Sequence, residues 1–363
     1  MNTYAEISLS AIQHNIGEIR KLLKPQVKYM AVVKANAYGH GAIAVSRAAV
    51  EAGADFLAVA NLLEALELRD AGIVSPILIL TESPTSVMDE IIQYDLTQTV
   101  YSFSEAKALS DEANKRKKNA SVHVKVDTGM GRVGVLPSEA VAFITKISSL
   151  KGLDLEGIFT HFAKAEDPKD NFTQDQFQKF SQVISKVDHI PIKHSANSAA
   201  VLFHPETHLD MVRVGLLMYG LHPQGNSQRR LNLKPALSFK SRVTYIKKIS
   251  AGTPVSYGST YVAPIDTTIA TIPVGYADGF SRRLSNRGQV IIRGKRYPVV
   301  GMVTMDMTMV DVGSSKVEVG DEVVLIGEQN GQVISADEVA TLENTISYEV
   351  VCGIGKRAPR IYK

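Results

Sequence analysis

The chain has 363 residues, of which 45% are hydrophobic and 21% charged, and its net charge is +3. These ordinary values exclude a disordered chain and give no support for a nucleic-acid partner. A single cysteine excludes an intrachain disulfide, the N-terminus lacks a signal-peptide pattern, and no apolar run approaches the roughly 20 residues of a membrane span. We therefore expect a cytoplasmic protein without a membrane partner.

Short apolar segments alternate with helical patterns along the first two thirds of the chain. One helix begins at Asn61, with Glu64 three residues later, as in a capping box. Alternation of this kind predicts a parallel sheet, and eight units in about 190 residues favour a (β/α)8 barrel over an open doubly wound sheet. The apolar segments begin near Lys28, Asp55, Ile77, Thr97, Ala120, Asp154, Pro191 and Asp210.

The pattern changes after about Leu233, where predicted strands follow one another without helices between them. Turn residues separate these strands, so we predict a mostly antiparallel β domain over residues 234–363, preceded by a barrel over residues 1–233. The polar segment Gln224–Arg230 is the expected linker. The predicted strands are Leu237–Ile249, Thr268–Pro273, Gln289–Ile292, Arg296–Val300, Met307–Val312, Glu322–Ile326 and Gln332–Ala336.

Polar residues gather at the ends of the predicted barrel strands, where the active sites of such barrels lie. A desolvated lysine forms a Schiff base with an aldehyde, while hydroxyls and glycine N–H groups bind a phosphate monoester. With an arginine at a ring nitrogen, this set suits pyridoxal phosphate. We expect no metal site, since His204 and His208, the nearest pair, flank a proline in a loop. The strand-end residues are Lys34, Asp127, Arg132, His161, His194, Ser195, Asn197 and Arg213.

Nine segments, taken in order through nearly the whole chain, resemble the motifs of the alanine racemase family. The resemblance implies a barrel joined to a β domain, pyridoxal phosphate as cofactor, and two-base interconversion of L- and D-alanine that supplies D-alanine for peptidoglycan. It also implies a head-to-tail homodimer with shared active sites. The segments are AVVKANAYGHG (31–41), KVDTGMGRVG (125–134), HFAKAE (161–166), HSANSAA (194–200), VRVGLLMYG (212–220), VSYGSTY (255–261), VGYADG (274–279), TMDM (304–307) and SYEVVCGI (347–354).

The resemblance assigns catalytic roles to four residues. Lys34 would hold the cofactor and act as the base on one face of the substrate's α-carbon, and Tyr257 of the partner subunit would act on the opposite face. Inversion needs a proton removed from one side and returned on the other, so two bases make physical sense. His161 and Arg213 would supply positive potential near Tyr257, and Arg213 would face the pyridine nitrogen without giving up its proton.

The remaining implied site residues bind cofactor or substrate. Asn197 and Asp306 are expected to support their neighbours, and Tyr276 to lie at the substrate entrance. The cofactor-binding set is Tyr38, Asn197, Ser198, Gly215, Leu216 and Tyr348, together with Lys34 and Arg213; the substrate-binding set is Arg132, Met305, Asp306 and Tyr276.

Lys125 lies on the fifth predicted strand with the same parity as His123 and Asp127, so we expect it to point into the barrel. A second cation near Arg132 is unfavourable. In some members of the family the equivalent lysine is carbamylated, which makes it an anion that can bind the arginine. The alternative is a lysine paired with an acid or neutralised by burial. Cys352 is expected to be a buried packing residue.

Three alternatives remain at this stage. A racemase of the same fold could act on serine or a larger amino acid, and Thr304, where many members have cysteine, leaves the preference for alanine open. A related decarboxylase would place an acid at the pyridine nitrogen, which Arg213 opposes. A non-catalytic cofactor-binding barrel would lack the β domain and hence any Tyr257.

Overall fold

A computed structural model describes residues 2–223 and 231–363, so the predicted linker Gln224–Arg230 lies outside the described residues. The chain forms two compact units. The barrel unit comprises Ala11–Ala37 and Ala42–Lys234, and the β unit comprises Met1–Ser10, Tyr38–Gly41 and Pro235–Lys363. The β unit therefore takes its first strand from the N-terminus, which the predicted division at residue 233 had given to the barrel.

The helices and strands of the described residues are numbered here in chain order. The helices are α1 (Leu9–Arg20), α2 (Lys34–Tyr38), α3 (Ala42–Glu51), α4 (Leu62–Asp70), α5 (Met88–Gln93), α6 (Phe103–Arg116), α7 (Pro137–Ser148), α8 (Phe172–Ile184), α9 (Ser198–Phe203), α10 (Ala336–Glu343) and α11 (Ser347–Cys352). The strands are β1 (Tyr4–Ile7), β2 (Lys28–Val32), β3 (Phe56–Val59), β4 (Ile77–Ile79), β5 (Thr97–Val100), β6 (Ala120–Lys125), β7 (Leu153–Phe159), β8 (Ile192–His194), β9 (Met211–Val214), β10 (Leu237–Arg242), β11 (Tyr245–Ile249), β12 (Pro254–Val255), β13 (Tyr261–Val262), β14 (Thr267–Ile272), β15 (Gln289–Ile292), β16 (Lys295–Pro298), β17 (Thr308–Asp311), β18 (Glu322–Gln329), β19 (Gln332–Ile334) and β20 (Arg360–Tyr362).

The barrel unit is built on parallel strands in the order β8-β7-β6-β5-β4-β3-β2-β9. Strands β3, β4 and β9 are buried along their whole length, as expected for parallel strands covered by helices. Backbone hydrogen bonds from Asp210 to Lys193 and from Arg213 to Ala196 bring β8 and β9 together and nearly close the barrel. These positions confirm the predicted barrel, because each strand lies where an apolar segment was expected.

The β unit has a seven-stranded sheet in the order β16-β15-β18-β10-β1-β20, with β19 on β18. A second sheet has the order β11-β14-β17, and β12 and β13 form a short antiparallel pair. The pairing is antiparallel except between β1 and β20, which confirms the predicted β domain. The strand expected over Leu237–Ile249 is wrong as a single element: the chain turns at Val243 and Thr244, so β10 and β11 join different sheets. Helices α10 and α11 were not predicted.

No helix among the described residues combines the length and the apolar character that crossing a bilayer requires.

Candidate active site

Lys34 stands at the head of a left-handed turn. It follows the buried end of β2 and is half-buried, and Ala35, Asn36 and Tyr38 have φ near +52°. Left-handed geometry costs an L-residue about 1–2 kcal/mol, so the turn must be held by its surroundings. One carboxylate oxygen of Glu64 accepts a hydrogen bond from the N–H of Ala35 at 2.8 Å, and the other accepts one from the N–H of Ala60 at 2.7 Å. Helix α4 thus fixes the backbone that carries Lys34.

Arg213 lies buried in β9, directly inside the barrel. Its Nη2 donates to the carbonyls of Thr160 at 2.6 Å and Ser195 at 3.0 Å. The same nitrogen lies 3.3 Å from Nδ1 of His161, and Nη1 lies 3.1 Å from Nδ1 of His194. Burial lowers the pKa of Arg213 to about 9, which still leaves a cation at neutral pH. Three of the predicted strand-end residues, His161, His194 and Ser195, therefore meet around the guanidinium of a fourth, Arg213.

The same end of the barrel carries an excess of positive charge. Burial first, then the charges of Arg132, Arg213 and Lys34, lower the pKa of Lys125 to about 8. Burial and the same group of cations, Lys125 included, hold the pKa of His161 well below its usual value. The side chain of Lys125 is buried, and its Nζ lies 5.6 Å from the centre of the Phe159 ring, as the parity of β6 indicated. Such a site favours an anionic ligand.

Asp127 shapes the loop that presents Arg132. One carboxylate oxygen accepts the N–H groups of Gly129 at 3.0 Å and Gly131 at 3.1 Å, and the other accepts that of Arg132 at 3.1 Å. Burial alone would raise the pKa of Asp127, but these amide donors lower it. Arg132 is exposed. The organising role of Asp127 was not predicted, although an aspartate before Thr-Gly-Met-Gly is a recognisable turn signal.

Ser198 and Gly215 come together at the ends of β8 and β9. Asn197 caps α9 by accepting the N–H of Ala200 at 3.0 Å, and this cap places Ser198 in the first helical turn. The Ser198 hydroxyl oxygen accepts the N–H of Gly215 at 3.0 Å, and Leu216 begins a 3-10 turn directly after it. A hydroxyl beside successive backbone amides is the kind of arrangement that binds phosphate.

Tyr38 and Tyr348 meet within the β unit, with ring centres 6.1 Å apart. Burial, together with the neighbouring Tyr348 and Cys352, raises the pKa of Tyr38, so its hydroxyl remains a hydrogen-bond donor. Gly39 is needed behind it: its φ is +81°, and a Cβ there would lie 2.3 Å from the carbonyl oxygen of Val351. Cys352 is exposed, so the expectation of a buried residue is wrong; it lies near the end of the short helix α11.

Tyr276, Met305 and Asp306 also form one group in the β unit. The N–H of Tyr276 donates to the carbonyl of Thr304 at 3.1 Å. The N–H of Ala277 donates to the carbonyl of Met305 at 3.2 Å. Arg357 joins them: its Nη2 lies 2.8 Å from a carboxylate oxygen of Asp306, and its Nε lies 3.2 Å from the buried Asp278. Neither Arg357 nor Asp278 was predicted, although Asp278 lies in the segment VGYADG.

Tyr257 opens a 3-10 turn between the paired strands β12 and β13. Ser256 before it has φ of +67°, and its hydroxyl donates to the carbonyl of Met302 at 2.7 Å. The Tyr257 side chain is 73% exposed in the single chain. Its role as the second base stays a prediction.

Comparison with known proteins agrees with this geometry. Residues 7–223 match the alanine racemase N-terminal domain and residues 236–362 the alanine racemase C-terminal domain. An alanine racemase of Desulforamulus reducens is 49% identical over 99% of this chain and 98% of that protein.

Solved structures give the same result. An alanine racemase of Clostridium difficile 630 superimposes with a TM-score of 0.96 at 40% identity, covering 100% of this chain and 96% of the other. An alanine racemase from Bartonella henselae with covalently bound pyridoxal phosphate superimposes with a TM-score of 0.90 at 30% identity, covering 100% of both chains. The chain belongs to the alanine racemase family.

Proposed function

We propose that the chain interconverts L-alanine and D-alanine with pyridoxal phosphate as its cofactor. The observation that carries the proposal is the buried Arg213, held among strand-end histidines and carbonyls in the barrel that also carries Lys34. Arg213 keeps its positive charge at pH 7 despite its burial. It can therefore donate a hydrogen bond to a ring nitrogen that acts as an acceptor. An acid at this position would favour the decarboxylase alternative.

The residues present fit the cofactor chemically. Lys34 offers an amine for its aldehyde carbon, and the positive charges of Arg132 and Arg213 at this end of the barrel favour an anionic ligand such as the substrate's carboxylate. The hydroxyls of Tyr38, Ser198 and Tyr348 and the backbone at Gly215 and Leu216 are proposed to hold the phosphate, with Asn197 fixing the position of Ser198. When bound, pyridoxal phosphate is an electron sink that stabilises negative charge at the α-carbon.

The chain's own residues then move two protons. Lys34, which would hold the cofactor, is proposed to act as the base on one face of the α-carbon. Tyr257 acts on the other face, and the exposure of its phenol supports donation to the barrel of a partner subunit in a head-to-tail homodimer. Arg213 supplies positive potential that eases loss of the phenol proton, and the neutral His161, hydrogen-bonded to Arg213, passes this influence on. Residues 1–233 thus supply most of the proposed cofactor site, and residues 234–363 supply the second base together with Tyr348.

Substrate recognition is assigned to Arg132 and the group around Met305. The guanidinium of Arg132 and the backbone at Met305 are proposed to bind the carboxylate, while Asp306 and Tyr276 shape the entrance. No observation favours serine over alanine. We further propose, from the resemblance, a cytoplasmic enzyme that makes D-alanine for peptidoglycan.

Chiral chromatography of L-alanine incubated with the purified protein tests this function. Formation of D-alanine that requires added pyridoxal phosphate and is lost in Lys34→Ala supports the proposal. A matched control is Lys118→Gln, since Lys118 is exposed and precedes β6, at the opposite end of that strand from Lys125. Absence of D-alanine, with D-serine formed from L-serine, would favour the serine alternative.

A further inference from the structure

A row of hydrogen bonds links side chains of strands β9, β8, β6 and β7. Arg213 Nη1 lies 3.1 Å from His194 Nδ1, His194 Nε2 lies 2.8 Å from His123 Nδ1, and His123 Nε2 lies 3.2 Å from a carboxylate oxygen of Glu156. Arg213, His194 and His123 are all buried, and the Glu156 side chain is 26% exposed. We call these four residues the imidazole relay. The proposed chemistry uses only its first member.

Hydrogen-bond chemistry gives the relay one direction. A guanidinium has donors and no acceptor, so His194 Nδ1 must be unprotonated to meet Arg213. A neutral imidazole then carries its proton on Nε2, which donates to His123 Nδ1. His123 in turn carries its proton on Nε2 and donates to Glu156. With Arg213 charged, both imidazoles must therefore be neutral, and each must be the Nε2–H tautomer.

A local irregularity of β7 directs Glu156 to this position. Val122 pairs with Leu155 and His123 pairs with Gly157, so Glu156 is the extra residue of a β-bulge between two parallel strands. Bulges change the direction in which a side chain points, and they are rare in parallel pairs. The next residue makes room for the ring, because a Cβ on Gly157 would lie 2.6 Å from His123.

The electrostatics agree with this assignment of protons. The hydrogen bond from His123 is the largest cause that lowers the pKa of Glu156, so this residue is a carboxylate at neutral pH. Burial, then the positive charge of Arg213, hold the pKa of His194 well below its usual value. Phe159 stacks on His194 with ring centres 4.8 Å apart, which fixes the plane of the imidazole. The relay therefore joins a buried cation to a carboxylate through two fixed neutral rings.

We propose that His123 and Glu156 are positioning residues for Arg213: by fixing the tautomer of His194, they hold the guanidinium in one orientation toward the ring nitrogen of the cofactor. The proposal rests on the proposed function, since it gives Arg213 its ligand. It adds two residues, His123 on β6 and Glu156 on β7, that act on the reaction through His194 and Arg213.

The test combines histidine NMR of the cofactor-loaded, ¹⁵N-labelled protein with steady-state kinetics. Glu156→Leu removes the terminal acceptor, and Glu156→Gln keeps a carbonyl acceptor while removing the charge. Asp154→Asn is the matched control, because Asp154 is exposed on the same strand. We expect Nε2–H tautomers at both His123 and His194 in the wild type and in Asp154→Asn.

In Glu156→Leu we expect mixed tautomers at His123, faster exchange of the imidazole protons, and a kcat about 10-fold lower, the lower end of the loss seen when the hydrogen-bond partner of a metal-bound histidine is removed. The KM for alanine should stay within about 2-fold, since a group that acts through Arg213 does not bind substrate. Glu156→Gln should recover the tautomers and most of kcat.

A proton on Nδ1 of either histidine in the wild type overturns the proposal, and this result needs no variant to fold. Unchanged tautomers and kcat in Glu156→Leu would overturn it as well. The wild type could show the predicted tautomers and yet form no D-alanine. That result would contradict the proposed function but still support the proton arrangement of the relay.

Discussion

Lys125 is expected to bind CO2 as a carbamate when bicarbonate is present. Burial and the cations Arg132, Arg213 and Lys34 lower its pKa to about 8. Because each pKa unit is a factor of ten, roughly one amine in ten is then neutral at pH 7, against roughly one in 3,000 at the ordinary value near 10.5. The neutral amine is the form that attacks CO2, so the reactive fraction rises about 300-fold over an unperturbed lysine. The product is an anion that Arg132 can bind.

The assay is ¹³C NMR of the protein equilibrated with ¹³C-bicarbonate at pH 7 to 8. We expect a carbamate resonance in the wild type and in Lys118→Gln, and its loss in Lys125→Gln. Depletion of CO2 should remove the resonance and lower kcat, with recovery when bicarbonate returns. A wild-type spectrum without a carbamate signal, or a signal that persists in Lys125→Gln, would show the reasoning to be wrong and favour a lysine neutralised by burial.

Three further predictions follow from particular residues. Mixing inactive Lys34→Ala and Tyr257→Phe chains should restore about a quarter of the wild-type rate, because half of the dimers are mixed and each has one intact site; no recovery after verified exchange would count against shared sites. Gly39→Ala should lower the free energy of unfolding in urea by about 1–3 kcal/mol more than Gly72→Ala, since both have positive φ but only at Gly39 would the Cβ meet a carbonyl, at 2.3 Å. His194 binds a proton below about pH 6.5 in the unfolded chain but not in the folded one. Lowering the pH from 7 to 5.5 should therefore reduce the free energy of unfolding by about 1 kcal/mol through this residue. Equal slopes of stability against pH in the wild type and His194→Asn would contradict this.

The barrel could be predicted from the sequence because its strands are buried on both faces and therefore form short apolar runs. The segment around Arg213 illustrates the principle: one charged residue in the buried strand β9 marks a position where chemistry is expected. Strand β1 could not be predicted as part of the β unit, because its partners are β10 and β20, more than 200 residues away along the chain. No local propensity encodes such pairing.

The site was predictable where a residue type alone suggests chemistry and unpredictable where backbone geometry decides. A lysine before a glycine-rich turn marked Lys34, but four consecutive left-handed residues that are not glycine follow it, against their intrinsic preference. Glu64, which holds that turn, was visible only as a helix-capping residue. Glu156 has the alternating pattern of a surface residue, and only the bulge in β7 turns it toward His123.

The central claim is that two bases act on opposite faces of the α-carbon. Racemisation of L-alanine in D2O, stopped after a few per cent conversion and followed by mass spectrometry of the separated enantiomers, tests it most directly. With two bases, we expect the D-alanine formed to carry deuterium at the α-carbon from the first turnover, because the proton taken by one base is not the one returned by the other. D-alanine that retains the α-proton of its L-alanine precursor would show a single base acting on both faces and contradict the roles proposed for Lys34 and Tyr257.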